Sequence, residues 1–147
     1  MANKINFHYE NPEEDSGYLL WQATMLWQRQ MNRALDEIHL THTQFVIMIA
    51  LGWLLKSSKS VTQKEIAVQS STDSMMVSKI LRTLQKNELV ERKEHETDTR
   101  AKCVSLTRKG IHTLQQAIEI IYRVNDSYFG KLSNESQFSD ELKKLIK

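Results

Sequence analysis

The stretch VTQKEIAVQSSTDSMMVSKILRTLQK, Val61 to Lys86, decides the fold because it holds two helix starts separated by a short polar break. Thr62 and Glu65 have the spacing of a capping box, in which each side chain binds a free backbone N–H at the start of a helix. The stretch therefore predicts one helix ending near Gln69, a tight turn, and a second helix over 74–86.

The second of these helices is amphipathic. Thr72 or Asp73 is its expected N-cap, since short polar side chains bind the free N–H groups of a first turn. Its buried side is predicted by four apolar residues at helical spacing, Val77, Ile80, Leu81 and Leu84. The opposite face carries Met75, Ser78, Lys79, Arg82 and Lys86. Two helices, a tight turn and a basic outer face predict a helix-turn-helix, whose second helix enters the DNA major groove.

A charged hairpin is predicted directly after this helix. Residues from Leu89 and residues 103–106 have the character of two strands, and 93–100 form the tip between them. A hairpin in this place is a wing. At its tip, Asp98 can orient the guanidinium of Arg100 for insertion into a minor groove, whose negative potential attracts arginine. The alternative is a surface ion pair, which contributes little to stability.

Helical patterns flank this unit on both sides. Residues 17–38 and 44–55 predict two helices, the first apolar on more than one side and the second apolar nearly all round. A long helix is predicted from Thr107 to Phe129, and a last one after Asn134. A helix that is apolar on several sides needs several neighbours, which favours a partner subunit or a ligand pocket.

Composition supports one mainly helical globular domain. The chain has 147 residues, 40% hydrophobic and 26% charged, with four glycines and one proline. No apolar run approaches the roughly 18 residues of a membrane span, and the first residues lack the apolar core of a secretory signal, so we expect a cytoplasmic protein without a membrane partner. Cys103 is the only cysteine, which excludes an intrachain disulfide and a cysteine-based zinc cluster.

Charge is distributed unevenly along the chain. The net charge is +2, but residues 59–110 hold eleven Lys and Arg against seven Asp and Glu, whereas the remainder holds nine against eleven. A basic middle between acidic flanks favours a polyanion as the partner of the middle segment.

The middle of the chain resembles the MarR family of bacterial transcription regulators. The resemblance rests on VSKILRTLQKNELVER (77–92), on Asp98-x-Arg100 and on LTRKG (106–110), and it extends from about Gly17 to the C-terminus. It implies a mainly α fold with a small β-hairpin wing, in which a winged helix-turn-helix domain is flanked by N- and C-terminal dimerisation helices. It also implies a homodimer that binds double-stranded DNA at a pseudo-palindromic operator.

The sequence departs from the family pattern at two places. Asn87-Glu88 stands where the family usually has a glycine, and asparagine at 87 is expected to supply the left-handed cap. Met75 and Met76 stand where small hydroxylated residues are common, so the base preference of the family does not carry over.

The resemblance predicts an organisation in four parts. We expect a flexible arm over 1–16, a dimerisation helix and a buried core helix over 17–55, the DNA-binding lobe over 56–107, and C-terminal dimerisation helices over 108–147. The expected DNA contacts are Thr62, Gln63, Lys64, Thr72, Asp73, Ser74, Met75, Ser78, Lys79, Arg82, Asp98, Arg100 and Lys102. An aromatic or lipophilic effector is expected in a pocket lined by Trp21, Trp27, Phe45, Met48 and Trp53.

Other functions remain open from the residues alone. No phosphate-binding loop or nucleophile elbow is present in the sequence, so an enzyme is not expected, nor a cofactor. His39 and His42 have metal-capable spacing, but zinc needs a fuller ligand set and no metal site is predicted. The remaining alternatives are a winged-helix module that binds an acidic protein, and a redox-responsive regulator that uses Cys103.

Overall fold

The structure is a computed structural model that describes residues 4–94 and 102–147. The predicted wing-tip residues Asp98 and Arg100 lie outside the described residues. The described helices are α1 (Ser16–Leu35), α2 (His42–Leu55), α3 (Gln63–Ser70), α4 (Ser74–Lys86), α5 (Arg108–Phe129) and α6 (Glu135–Ile146), and the strands are β1 (Val61–Thr62), β2 (Val90–Glu94) and β3 (Lys102–Leu106). Short 3₁₀ turns cover Pro12–Glu14 and Asp36–Ile38. This mainly helical chain with a small antiparallel sheet confirms the predicted fold class.

The helix starts follow from their capping residues. The predicted box at Thr62 is present, with the threonine hydroxyl accepting from the N–H of Glu65 and the Glu65 carboxylate accepting from the N–H of Thr62. A second box, with Thr41 as N-cap, starts α2 two residues earlier than the pattern predicted. Asp73 caps α4 by accepting the N–H of Met76. Local side-chain chemistry therefore sets where these helices begin.

The sheet has one strand more than the predicted hairpin. Its order is β1-β3-β2, with both pairs antiparallel. Val61 lies opposite Val104, and Thr62 lies opposite Cys103. A two-residue strand is too short to show alternation in a sequence, which is why the pattern indicated only two strands. The extra strand joins the base of the wing to the start of α3.

The exit from α4 differs from the expectation at Asn87. Asn87 has φ −84° and ψ 6°, and the left-handed residue is Glu88, with φ 62°. The N–H of Leu89 then donates to the carbonyl of Leu84 at 2.9 Å. In this type of helix end the left-handed residue stands one position after the C-cap, so the backbone requirement falls on Glu88.

The first turn of α5 is fastened to this exit. The Thr107 hydroxyl donates to the carbonyl of Glu88 at 2.6 Å, and the Thr107 N–H donates to the carbonyl of Leu89 at 3.1 Å. A Cβ atom at Gly110 would lie 1.9 Å from the carbonyl oxygen of Leu89, so only glycine fits this close approach. We call the contact between Thr107–Gly110 and residues 87–89 the α4–α5 clamp.

The core is shared by the first five helices and the sheet. Its fully buried side chains include Met31, Leu35, Met48, Leu51, Ile66, Val77, Leu81 and Leu84, and α6 contributes none. Among the described residues, no helix by itself has the length and apolar composition of a membrane span; only Ser16–Ile38 and His42–Leu55 taken together do, as a pair bent by 81°.

Candidate nucleic-acid interface

The orientation of α4 about its own axis is fixed by its apolar side. Val77, Leu81 and Leu84 have no exposed area. Met75, Lys79 and Arg82 are exposed on the opposite side, and Ser78 is half-buried. We call Met75, Ser78, Lys79 and Arg82 the outer face of α4. Because three fully buried side chains anchor the helix, the outer face projects from the molecule in a defined direction.

The turn between α3 and α4 brings the starts of the two helices together. Ser71 has a left-handed backbone, with φ 51°, and reverses the chain after α3. The half-buried Thr72 donates its hydroxyl hydrogen to the carbonyl of Ser70 at 3.1 Å. The Gln63 amide donates to the carbonyl of Ser74 at 3.4 Å, which links the first residue of α3 to the first residue of α4. Both helix N-termini are thus presented side by side.

Some predicted contact residues also maintain this local structure. The Thr62 hydroxyl accepts a backbone N–H of α3, and a carboxylate oxygen of Asp73 accepts the Met76 N–H at 3.3 Å. Lys64 and Ser74 are exposed at the first turns of α3 and α4. The first turn of a helix also favours negative charge such as a phosphate, because its free N–H groups point outward.

The wing is linked to α4 by side chains. Arg92 on β2 donates from Nε to the Gln85 carbonyl oxygen, Oε1, at 2.9 Å, which joins a wing strand to the last turns of α4. Lys102 is exposed at the start of β3, opposite Glu94. Lys102 is therefore on the wing, as predicted, whereas Asp98 and Arg100 lie outside the described residues.

Three cations at this surface form no ion pair with any side chain that the structure describes. They are Lys64, Lys79 and Arg82. Lysine and arginine can bind phosphate oxygens or the acceptor atoms of guanine, and serine can contact either base type. The described surface therefore combines positive charge with short polar side chains on a fixed helix.

The five predicted pocket residues are not brought together. Phe45 and Met48 belong to the core, whereas Trp21 and Trp53 are 63% and 58% exposed. Trp53 lies under the Lys56 ammonium, which is 4.9 Å from the ring centroid. Trp27 is half-buried and donates from Nε1 to the Asn125 Oδ1 at 2.9 Å.

A groove between α1, α5 and α6 was not predicted. Its volume is about 610 Å³, and Trp27 is the one predicted pocket residue in its wall. The lining residues are Leu20, Ala23, Thr24, Leu26, Trp27, Gln30, Tyr128, Phe129, Lys131, Leu132, Phe138 and Leu142. The Tyr128 hydroxyl donates to the carbonyl of Ala23 at 3.0 Å, and this bond joins two walls of the groove. The surplus of apolar residues on α1 was the signal in the sequence.

His42 is buried at the junction of α1 and α2. Its ring packs edge-on against Trp27, with 4.8 Å between centroids, and stacks on Phe45 at 6.4 Å. Its Nδ1 has no hydrogen-bond partner among the described residues. Removal from water lowers the pKa of His42, because burial disfavours the charged imidazolium.

The structure also shows the surroundings of the cysteine and the two histidines that were considered for redox or metal chemistry. The Cys103 Sγ is half-buried on β3 and lies 2.9 Å from the Ser60 Oγ. His39 is exposed, whereas His42 is buried, so their side chains lie in different surroundings. Residues 4–94 and 102–147 contain no cluster of three or more metal-binding side chains.

The fold and this surface define a winged helix-turn-helix protein. The ArnR1-like, winged-helix domain family matches residues 36–125. The chain is 36% identical to the HTH-type transcriptional regulator YdcH of Bacillus subtilis, over 95% of each chain. It is also similar to a mutant of Escherichia coli MarR complexed with operator DNA (TM-score 0.80, 21% identity, 89% of this chain and 93% of that one) and to the Staphylococcus aureus MepR–DNA complex (TM-score 0.78, 25% identity, 90% and 96%). The chain therefore belongs to the ArnR1-like winged-helix family, is related to HTH-type transcriptional regulators, and has the fold of the solved MarR regulator.

Membership in this family gives the general function of the protein. The protein is a DNA-binding transcriptional regulator, and the expectation that it is not an enzyme is confirmed by its relatives. The outer face of α4 and the wing are the parts of the structure suited to this task.

Proposed function

We propose that the protein is a homodimeric repressor that binds a pseudo-palindromic operator in the cytoplasm and is released by a small aromatic or lipophilic effector. The observation that best supports the proposed dimer is the large exposed apolar surface near the two ends of the chain. On α1, Leu20, Trp21 and Leu26 are 52%, 63% and 51% exposed, and on α6, Leu145 and Ile146 are 76% and 79% exposed. Exposed apolar area on this scale is typical of a protein–protein interface.

A second copy of this chain is the partner that best fits the surface, because the apolar patch of each copy then covers the patch of the other. A two-fold dimer buries one patch against its twin, so no other protein is needed. The twin arrangement also presents two copies of α4 to one DNA duplex. Its half-sites are then expected about one helical turn apart, at an operator with two-fold symmetry.

The proposed DNA contacts divide into two kinds. Lys64, Lys102 and the start of α3, with Thr62 and Gln63, are assigned to the phosphate backbone, together with Thr72 and Asp73 in the turn. The base edges are assigned to Ser74 and the outer face of α4, and the minor groove to Arg100 held by Asp98. Phosphate contacts position a protein on DNA, whereas base contacts give specificity.

The dimer is tested by placing a charge on the apolar surface. Leu26→Glu puts a carboxylate among the lining residues of the groove and is expected to give a monomer in analytical ultracentrifugation. The matched control is Val68→Glu, since Val68 is 74% exposed but lies on α3, away from the terminal helices. The proposed interface would be contradicted if the Leu26→Glu variant remained a dimer. It would also be contradicted if Val68→Glu dissociated the dimer to the same extent.

Operator binding is tested by selecting bound duplexes from random DNA. The selected sequences are expected to show two-fold symmetry, and their affinity is expected to fall steeply with added salt, because each phosphate contact releases a condensed counterion. Arg100→Ala is expected to weaken binding without changing the dimer. Binding that is indifferent to salt and to symmetry would favour a protein partner instead.

The effector site is proposed beside Trp27. This residue borders the α1–α5–α6 groove and touches His42, so it joins an apolar cavity to a polar atom without a described partner. Pockets for small molecules combine these two features. Phe45 lies behind His42, and Met48 lies in the adjoining core.

Tryptophan fluorescence tests this site. An aromatic carboxylic acid that binds there is expected to quench the tryptophan fluorescence of the wild type and to reduce the affinity of the protein for the operator. Trp27→Phe is expected to lose most of the quenching, whereas Trp53→Phe, which changes an exposed ring, is expected to retain it. Equal quenching in both variants would place the ligand elsewhere.

A further inference from the structure

Met75 is an unusually placed apolar side chain. It is 80% exposed, which no other large apolar side chain in the described residues exceeds. Most side chains that come near this value, such as Phe7 at 77% and Ile146 at 79%, lie close to the ends of the chain, and Val68 on α3, at 74%, is the exception. Met75 instead lies at the second position of a helix whose inner side is fully buried. Packing against residues 4–94 and 102–147 therefore does not account for its position.

The position of Met75 is well defined by its neighbours. Asp73 accepts the N–H of Met76, and the Gln63 amide donates to the carbonyl of Ser74, so the backbone on both sides of Met75 is held by hydrogen bonds. Val77, two residues later, has no exposed area. The first turn of α4 is thus fixed, and the exposed side chain of Met75 extends from it into solvent.

Met75 also shares its direction with the cations of α4. Ser78, Lys79 and Arg82 follow it at intervals of three, four and seven residues, which places all four on one side of a helix with 3.6 residues per turn. Met76 is turned about 100° away from Met75 around the same axis. The apolar tip of the outer face therefore belongs to Met75 and not to Met76.

We infer that Met75 contacts the 5-methyl group of a thymine in the major groove of each operator half-site. This inference rests on the proposed operator binding. A recognition helix contacts base edges with residues of its N-terminal part, and the thymine methyl is the apolar group that bases present in the major groove. The methionine side chain is flexible and polarisable and carries no hydrogen-bond donor, so it suits a methyl group better than the polar base edges.

The test removes single methyl groups from the DNA. Deoxyuridine replaces thymidine at each position of a selected operator, symmetrically in both half-sites, and binding is followed by fluorescence anisotropy at fixed salt. Wild type, Met75→Ala and the matched control Met76→Ala are compared. Both variants place a strong helix former in the first turn of α4, and circular dichroism confirms that each is folded.

At one thymine per half-site, the wild type is expected to lose affinity about fourfold for each methyl, or about fifteenfold for both. Met75→Ala is expected to bind the thymidine and deoxyuridine duplexes equally, whereas Met76→Ala is expected to keep the fifteenfold difference. The inference is overturned if Met75→Ala remains as sensitive as wild type at every thymine, or if no thymine matters. A wild type that selects no duplex at all overturns the proposed operator binding as well, and this result is seen before any methyl is removed.

Discussion

Helices α4 and α6 have nearly the same length, 13 and 12 residues, and both carry apolar residues along one side. Yet α4 buries Val77, Leu81 and Leu84 completely, whereas α6 has no buried residue. The difference lies in what covers them. Helices α2 and α3 and strand β2 cover the apolar side of α4, whereas the described part of the chain leaves Leu145 and Ile146 of α6 in solvent. An amphipathic pattern alone therefore does not show whether the apolar side of a helix is buried in the core of its own chain or is left exposed.

The largest expected effect tests this contrast directly. Leu81→Ala removes a fully buried side chain from α4 and is expected to lower the free energy of unfolding by about 4 kcal/mol, since it leaves a cavity. Leu145→Ala changes a residue that is 76% exposed and is expected to alter the unfolding of dilute protein by less than about 0.5 kcal/mol. Urea denaturation measures both. Equal losses would mean that α6 is packed as tightly as α4.

The α4–α5 clamp provides the next largest effect. Gly110→Ala is expected to lower the free energy of unfolding by about 3 kcal/mol, because its Cβ would meet the backbone carbonyl of Leu89. Gly52→Ala is the control, since its Cβ would meet only the end of the Leu114 side chain at 3.3 Å. The control is expected to change stability by less than about 1 kcal/mol, because a better helix propensity offsets the tight contact.

The helix caps sharpen the same comparison on a smaller scale. Asp73→Ala is expected to lower the free energy of unfolding by about 1 kcal/mol, and Asp73→Asn to retain most of it, because asparagine also caps a helix. Asn134 caps α6 by accepting the N–H of Gln137 at 3.0 Å. Asn134→Ala is expected to increase hydrogen exchange within α6 while leaving the urea midpoint unchanged. A shifted midpoint would show that α6 unfolds together with the core.

The smallest effect concerns pH at the junction between the two regions. Because burial lowers the pKa of His42, the unfolded chain binds a proton there more readily than the folded one. His42 is therefore expected to lower stability as the pH falls below about 6.5, its ordinary value, until the pH passes the lowered pKa of the folded state. His42→Phe is expected to reduce the slope of the urea midpoint between pH 7.5 and 5.

The reference for that slope is the wild type, measured over the same pH range. If His42→Phe and the wild type had the same slope, the loss of stability in acid would have to come from other groups.

The sequence predicted well what depends on local chemistry. The capping box at Thr62, the N-cap at Asp73 and the buried stripe of α4 follow from the identity and spacing of a few neighbouring residues. The prediction was less accurate where the backbone path decides. Asparagine was expected to take the left-handed position, but the geometry of the helix end places it at Glu88.

Long-range contacts were beyond the reach of the sequence. Strand β1 pairs with residues more than forty positions away, and nothing in a two-residue segment indicates that partner. The five predicted pocket residues were grouped by composition alone, and burial separates them into core and surface. The groove is built from α1, α5 and α6, whose approach depends on contacts such as the one between Tyr128 and Ala23. The apolar surplus on α1 indicated that a neighbour was needed without identifying which.

The α4–α5 clamp holds the end of α4 against the first turn of α5, so the orientations of the two helices are coupled. Helix α5 has 22 residues and is therefore about 33 Å long, so a tilt of about 5° at its clamped end corresponds to a displacement of about 3 Å at its far end. A small change in the tilt of α4 therefore corresponds to a large displacement at the far end of α5. Thr107 and Gly110 form the joint between the two helices, so a substitution that loosens it is expected to uncouple the tilt of α4 from that of α5.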